Sequence, residues 1–320
     1  MRRSFGRSAL SRARRYAAGA LLLPALLAGC AAPAGDLSSS SQTVQEPQPE
    51  APASVTVPIL LYHDVSETGE GEYIISRENL LLHLDAIKEA GYHTVTFQQM
   101  ADYVEQGVPL PDKPVALTFD DGYLSNYEIV WPALREREMT ATIFVIGSSM
   151  GKDTYKDTGA GIIPHFSYEQ AREMSDSGVI SIQTHTYDMH QYQPLEPDGG
   201  RRGCLRKESE APDAYRQALE SDLTRAMEEL TAGTGQPPLV LSYPGGDYTQ
   251  ECEEVSARLG LKASVSTVPQ SALLVRGDPS SLRLMGRYNI DDCSVQELLE
   301  LLEAASLPPE PSDTGDRSAP

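Results

Sequence analysis

The chain has 320 residues, with 46 acidic and 26 basic side chains for a formal net charge of −20 at pH 7. A surface this acidic repels phosphate backbones, which sets nucleic acid aside as a partner. Its apolar content of 40% can fill one sizeable core, and its four cysteines show no CxxC spacing, which argues against a structural zinc site.

Residues 1–29 read as an export signal. MRRSFGRSALSRARRYAAGALLLPALLAGC has six arginines and no acidic residue, with an apolar run from Ala17 to Leu27. That run is short for a membrane span and ends in small residues. The ending LAGC resembles the lipobox of bacterial lipoproteins. The resemblance implies cleavage before Cys30, a diacylglycerol thioether on its sulfur and anchoring to the outer side of a bacterial cell membrane. The twin arginine in RRSF is a fainter pointer to twin-arginine export. Removing the six arginines leaves 20 basic against 46 acidic residues, a net charge of −26. Residues 30–53, rich in Ser, Pro, Gln and Glu, have nothing to build a core and read as a tether with a reach of about 25 Å.

From Val57 onward apolar strand-like runs alternate with helical patterns. VPILLYHDV precedes ENLLLHLDAIKEAG, YHTVTF precedes QQMADYVEQG, and VALTFDDG precedes SNYEIVWPALREREM. TATIFVIG leads to SYEQAREMSDSG, VISIQTHT to DAYRQALESDLTRAMEELTAG, and PPLVLSYPGG to TQECEEVSARLG. KASVSTV, LRLMGRYNI and the helical SVQELLELLEAA complete the set, and residues 305–320 read as a frayed tail. Gly91, Gly233 and Gly260 fall where left-handed helix caps are expected. Strands rich in Val, Ile, Thr and Leu without polar alternation predict burial on both faces. The expected fold is α/β: a single (β/α) barrel-like domain over residues 54–304, of about seven or eight units and distorted TIM type. A doubly wound open sheet is the alternative.

In such folds the chemistry collects at the carboxyl ends of the strands. His63 ends the first strand, Asp120 and Asp121 the third, His185 the fifth, and Tyr243-Pro244-Gly245 the sixth. Two adjacent carboxylates repel; either TFDDG is an ordinary acidic Asp-Gly turn, or a cation sits beside them. His185 and His190, in QTHTYDMH, are five apart. On a helix that is roughly 140° of separation and on a strand it is opposite faces, so a shared ligand needs a turn between them. Two imidazoles and one carboxylate, with a position left for water, suit a catalytic metal rather than a structural one. Zinc comes first for such a set, and nickel, cobalt and iron(II) also accept it.

TFDDG followed some sixty residues later by HTxxxH resembles the NodB-homology polysaccharide deacetylases, carbohydrate esterase family 4. The likeness runs from Val57 to about Ala304 and includes GYHTVTF and TATIFVIG. It implies Asp120 as general base, with Asp121, His185 and His190 holding one divalent metal ion. Histidines five apart resemble the circularly permuted branch that contains the poly-β-1,6-N-acetylglucosamine deacetylases. There the acid histidine comes from the first strand, which implies His63 in LLYHDV. No histidine follows His190, so a C-terminal acid cannot exist in this chain. His83, His93 and His165 read as ordinary histidines, and Trp131 as packing.

Two departures matter. The family's third motif resembles RxPYG, whereas LSYPGGDY has Ser242 at the arginine and Gly245 at the aromatic position. Gly245 could still offer its backbone N–H to an oxyanion, and Arg287, in LMGRYNI, is the candidate to steady Asp120. The family's tryptophan-bearing fourth motif is not recognisable.

The resemblance implies metal-assisted removal of acetyl groups from N-acetylglucosamine residues of an acetylated polysaccharide at the cell surface. The alternatives are an O-acetyl (xylan-type) esterase on the same residues and an inactive carbohydrate-binding surface protein. The implied partners are the polysaccharide and, through a lipid on Cys30, the membrane; no obligate protein partner is implied. Cys204, Cys252 and Cys293 allow one disulfide plus a free thiol. Residues 191–213 are expected as a loop near the mouth of the site.

Overall fold

A computed structural model describes residues 52–307. The expected signal, Cys30, most of the tether and residues 308–320 lie outside the described residues. The strands are β1 (Ile59–Tyr62), β2 (His93–Thr94), β3 (Pro114–Phe119), β4 (Ala141–Val145), β5 (Ile180–Thr184), β6 (Val240–Ser242), β7 (Ala263–Val265) and β8 (Tyr288–Asn289). They form one parallel sheet in the order β7-β6-β5-β4-β3-β1-β8, with β2 paired to the start of β3. The helices are α1 (Arg77–Glu89), α2 (Phe97–Gln106), α3 (Trp131–Arg137), α4 (Tyr168–Asp176), α5 (Pro212–Thr234), α6 (Gln250–Arg258) and α7 (Val295–Ala305).

Every residue of β1, β3 and β4 is buried. Alternate residues serve two different cores, as a period of two requires. Leu60, Leu117, Phe119 and Ile143 pack with residues of α1, α3, α4 and α7. Ile59, Ala116 and Phe144 instead meet Phe97, Met100 and Val104 of α2, together with Val240, Ala263 and Val265. This is why the strands show no polar alternation.

The sheet curls until one segment bonds both of its edges. Met285 bridges Val265 at the end of β7, donating to Ser264 O at 3.0 Å and accepting from Ser266 N at 2.8 Å. Three residues later β8 pairs with β1. The barrel-like α/β fold expected from the alternation is the fold observed.

Local boundaries differ where side chains cap the backbone. YHTVTF is a strand only over His93–Thr94, because Thr96 and Gln99 form a capping box that starts α2 at Phe97. The helix before Met139 opens with a wide π turn over Asn126–Val130, where Trp131 N donates to Asn126 O. Pro132 has no N–H to give to the carbonyl four residues back, so the ordinary ladder cannot form there. Gly233 does not cap α5: the helix runs to Thr234 and Gly235 takes the left-handed position at φ 80°. Gly233 instead lets Tyr168 approach closely. Two peripheral strand pairs escaped the sequence pattern, Ser54–Val57 with Ala272–Val275 and Asp64–Ser66 with Ile74–Ser76. Cys204, Cys252 and Cys293 are all free thiols. No helix among the described residues is long and apolar enough to cross a membrane.

Candidate active site

The two aspartates occupy a tight turn where β3 ends. Asp120 N donates to Tyr62 O at 2.9 Å, which registers the turn against β1. Asp121 then adopts φ 72°, a conformation that L residues hold only when their surroundings enforce it. Gly122 follows at φ 85°, and a Cβ there would lie 2.9 Å from Val145 Cγ1. The motif therefore needs its glycine for space as well as for φ. The strained turn gives the two carboxylates different neighbours.

Asp121 joins the histidines. His185 Nε2 and His190 Nε2 each lie 3.5 Å from Asp121 Oδ1. Ligand atoms about 2.0–2.1 Å from a tetrahedral ion stand roughly 3.3 Å apart, so this spacing fits a divalent cation. The three ligand atoms lie within 4.8 Å of one another, and Asp121 Oδ1 is buried with no hydrogen-bond partner. A buried carboxylate oxygen that lacks a hydrogen-bond partner and faces two imidazole nitrogens fits the donor set of a divalent cation. His185 Nδ1 lies 2.8 Å from the carbonyl of Ser242. A carbonyl only accepts, so Nδ1 carries the proton and Nε2 keeps its lone pair for a cation. Burial lowers the His185 pKa to about 4, against the pull of Asp120 and Asp121. The other Asp121 oxygen, Oδ2, accepts a 2.8 Å hydrogen bond from Tyr123 Oη.

Asp120 faces Arg287. The guanidinium donates from Nη1 to Oδ1 at 2.7 Å and from Nη2 to Oδ2 at 2.8 Å. It also donates from Nη2 to Ser242 Oγ at 2.9 Å, and Ser242 Oγ donates to Asp120 Oδ2 at 3.1 Å. Burial alone would push the Asp120 carboxyl up, but Arg287, with His185 and His63 behind it, holds it well below the usual carboxylate range. Of about four lone-pair sites on a carboxylate, three are taken here, which leaves one for a proton.

His63 follows β1 and lines the same cavity of about 530 Å³ as Asp120, Asp121, His185, His190 and Gly245. Its ring lies 5.0 Å from that of Tyr73, an exposed side chain on the cavity wall. Gly245 sits at φ 63° beyond β6. Six of the seven residues named for chemistry in the domain thus line one cavity, and Arg287, which stands just before β8, reaches Asp120 from behind it. Of the histidines read as ordinary, His83 faces Cys293 O and His93 faces Asp112 O. His165 packs 5.0 Å from the Tyr123 ring, behind the site. Trp131 is buried, with Nε1 donating to Ser177 Oγ. Of the expected loop 191–213, Pro212 and Asp213 already belong to α5; before them, Gln191, Tyr192, Arg201 and Arg202 border a groove that shares His190 and Gly245 with the cavity.

Two contributors have no role assigned from the sequence. Tyr123 stands two residues after Asp121, inside the motif itself, and could have been noticed. Ser242 was noticed as a missing arginine, whereas its hydroxyl and carbonyl serve Asp120 and His185.

The polysaccharide deacetylase family profile matches residues 107–264; His63 and Arg287 lie outside that span. YxkH of Bacillus subtilis (strain 168), which bears the name of a polysaccharide deacetylase, is 30% identical over 223 residues, covering 70% of this chain and 68% of its own. The poly-β-1,6-N-acetyl-D-glucosamine N-deacetylases of Escherichia coli (strain K12) and Staphylococcus aureus (strain MRSA252) are 26% and 24% identical over 62% and 61% of this chain. The chain spans 32% of the length of the E. coli protein and 61% of the S. aureus protein. Among solved structures, a de-N-acetylase from Aggregatibacter actinomycetemcomitans superposes with a TM-score of 0.66 at 24% identity, over 77% of this chain and 99% of that one. IcaB from Ammonifex degensii gives 0.63 at 25% identity, over 79% and 98%. These likenesses agree with the curled parallel sheet described above.

Proposed function

The chain belongs to the polysaccharide deacetylase family, and we propose that it is a metal-dependent N-deacetylase acting on N-acetylglucosamine residues of a cell-surface or extracellular glycan. The observation that carries this reading is the orphaned Asp121 Oδ1 facing His185 and His190, with the Arg287-bound Asp120 next in the chain. The names of the E. coli and S. aureus relatives support the choice of glycan. Export and a lipid on Cys30, with residues 1–29 as signal, 30–53 as tether and 54–304 as catalytic domain, would bring the site to such a polymer.

Asp121, His185 and His190 would hold the cation, zinc first by donor set, with nickel, cobalt or iron(II) as alternatives. When bound, it supplies Lewis acidity toward the acetyl carbonyl and makes water more acidic. Asp120, oriented by Arg287 and Ser242, accepts the proton of the water that attacks the acetyl carbon. The backbone N–H of Gly245 donates to the developing oxyanion. Protonated His63 gives its proton to the nitrogen as the C–N bond breaks, because an unprotonated amine leaves poorly. Acetate and a free glucosamine residue result.

The test is release of acetate and free amine from β-1,6-linked N-acetylglucosamine oligomers by protein loaded with one divalent metal at a time, with Asp120→Asn as control. Equal release of both products, lost in the variant, supports the reading. Acetate from O-acetylated sugars alone would transfer the site to ester hydrolysis. Silence with every metal despite tight metal binding would count against this glycan.

A further inference from the structure

The turn between the two histidines raises a question of rigidity. Thr186 sits at φ 70°, and the His190 side chain at the far end of the turn is 40% exposed. Five residues of irregular backbone could let that imidazole swing away from His185. Yet each N–H from His185 to Met189 is engaged. His185 N donates to Val145 O at 2.9 Å, Thr186 N to Thr184 Oγ1 at 3.1 Å, and Met189 N to Thr186 Oγ1 at 3.2 Å. The remaining two, Tyr187 N and Asp188 N, donate to the two oxygens of Asp222 at 2.9 and 2.7 Å.

Asp222 lies in the middle of α5, where aspartate is a poor helix former. It is partly buried, and both of its oxygens point to the turn rather than to water. One helical turn on, Arg225 lays its guanidinium over the Tyr187 ring at 3.7 Å. The carbonyls of Thr186 and Tyr187 accept from Gly147 N and Ser148 N at 3.1 and 2.8 Å. The turn is therefore held from α5 on one side and from the loop after β4 on the other.

We propose that Asp222 is a positioning residue for the metal centre: its carboxylate clamps the Tyr187-Asp188 backbone so that His190 is preset opposite His185 and Asp121 before a cation arrives. The proposal rests on the reading of Asp121, His185 and His190 as ligands. A carboxylate that merely tied a loop to a helix would alter stability and leave metal affinity alone. A clamp alters affinity.

The experiment uses the full chain stripped of metal, as wild type, Asp222→Asn and Asp222→Ala. The zinc dissociation constant is read by competition with a chromophoric chelator, alongside thermal unfolding without metal. In Asp222→Asn one oxygen still accepts, but the amide nitrogen, a donor, meets the second N–H. Zinc affinity is expected to fall about 10- to 100-fold, as for other groups that orient metal ligands, while the metal-free midpoint shifts by a few degrees. Unchanged zinc affinity in a folded variant overturns the clamp. If neither variant folds, amide hydrogen exchange of the metal-free wild type decides. Protection at Tyr187 and Asp188 before zinc is added is expected, and open-loop exchange until zinc binds would sink the idea. Wild type that takes up neither zinc, nickel nor cobalt removes the ligand reading itself, and the proposal with it.

Discussion

Arg287 and Asp120, 167 residues apart, form a two-point ion pair at 2.7 and 2.8 Å from which solvent is excluded. Arg287 belongs to the segment that bonds both edges of the sheet, between Met285 beside β7 and Tyr288 beside β1. The segment that closes the sheet therefore also orients the carboxylate.

Replacing Arg287 by Met strands a carboxylate in the interior. Breaking one side of a buried pair costs about 3–5 kcal/mol of stability. With the cation gone, burial pushes the Asp120 pKa up, so the acid limb of kcat/KM is expected to move to higher pH. Arg287→Lys keeps the charge but loses the fork, and a smaller displacement of the limb should follow. A limb that stays in place in both variants would mean that Asp120 is not the titrating group.

Asp120 and Asp121 are neighbours with separable losses. Asp120→Asn should lower kcat/KM by about 10²–10⁴, the usual worth of a positioned base, with zinc affinity kept. Asp121→Asn should lose zinc affinity first and activity as a consequence. Metal titration beside steady-state kinetics distinguishes them, and the assignments fail if the two variants lose the same quantity.

The strand-helix alternation is legible because burial on both faces leaves β1, β3 and β4 without charged residues or polar alternation. Short peripheral strands such as Ala272–Val275 are not, since their pairing with Ser54–Val57 depends on partners far away in the chain. The site divides in the same way. Asp120, Asp121, His63 and His185 follow directly from the rule of strand ends, and His190 from the need for a turn. Arg287 could only be nominated, because its distance to Asp120 is set by how the sheet closes. Asp222 gave no signal at all: one aspartate within a long helix of an acidic chain looks like solvated surface until the helix is packed.

Tyr123 offers a finer test of the metal site. Its hydroxyl binds Asp121 Oδ2 at 2.8 Å and leaves Oδ1 toward the histidines. Burial, reinforced by the Asp121 charge, pushes the phenol pKa up, so it stays a donor throughout the working pH range. Tyr123→Phe frees the carboxylate to rotate, and zinc affinity should drop about 10-fold with little change in fold. Chelator competition on the folded variant measures this, and equal affinities would remove Tyr123 from the site.

His185 and Asp222 make opposing contributions to stability as pH falls. Burial lowers the His185 pKa to about 4 from an ordinary 6.5, so between those values the unfolded chain binds a proton that the folded chain refuses. That contribution is lost as pH falls through the window. Burial raises the Asp222 pKa to about 6 from 3.8, so the folded chain binds a proton first and gains stability over nearly the same range. In metal-free wild type the two slopes offset. Asp222→Asn removes the gain, so its unfolding midpoint should fall more steeply from pH 6.5 to 4.5. Parallel midpoint curves for the two proteins would show that Asp222 does not titrate in this window.

His63 is tested by the nature of the leaving group. An alcohol departs as an alkoxide far more easily than an amine departs unprotonated, so amide cleavage depends on the acid more than ester cleavage does. His63→Gln keeps a polar side chain beside Tyr73 and removes the transferable proton. On N-acetylglucosamine oligomers its kcat should fall by about 10²–10⁴. On an O-acetylated sugar processed by the same protein the fall should be much smaller. The comparison cancels any loss of metal or of shape, because both substrates meet the same damaged site. Equal losses on the two would leave His63 as cavity wall, and the proton for the amine would have to come from solvent.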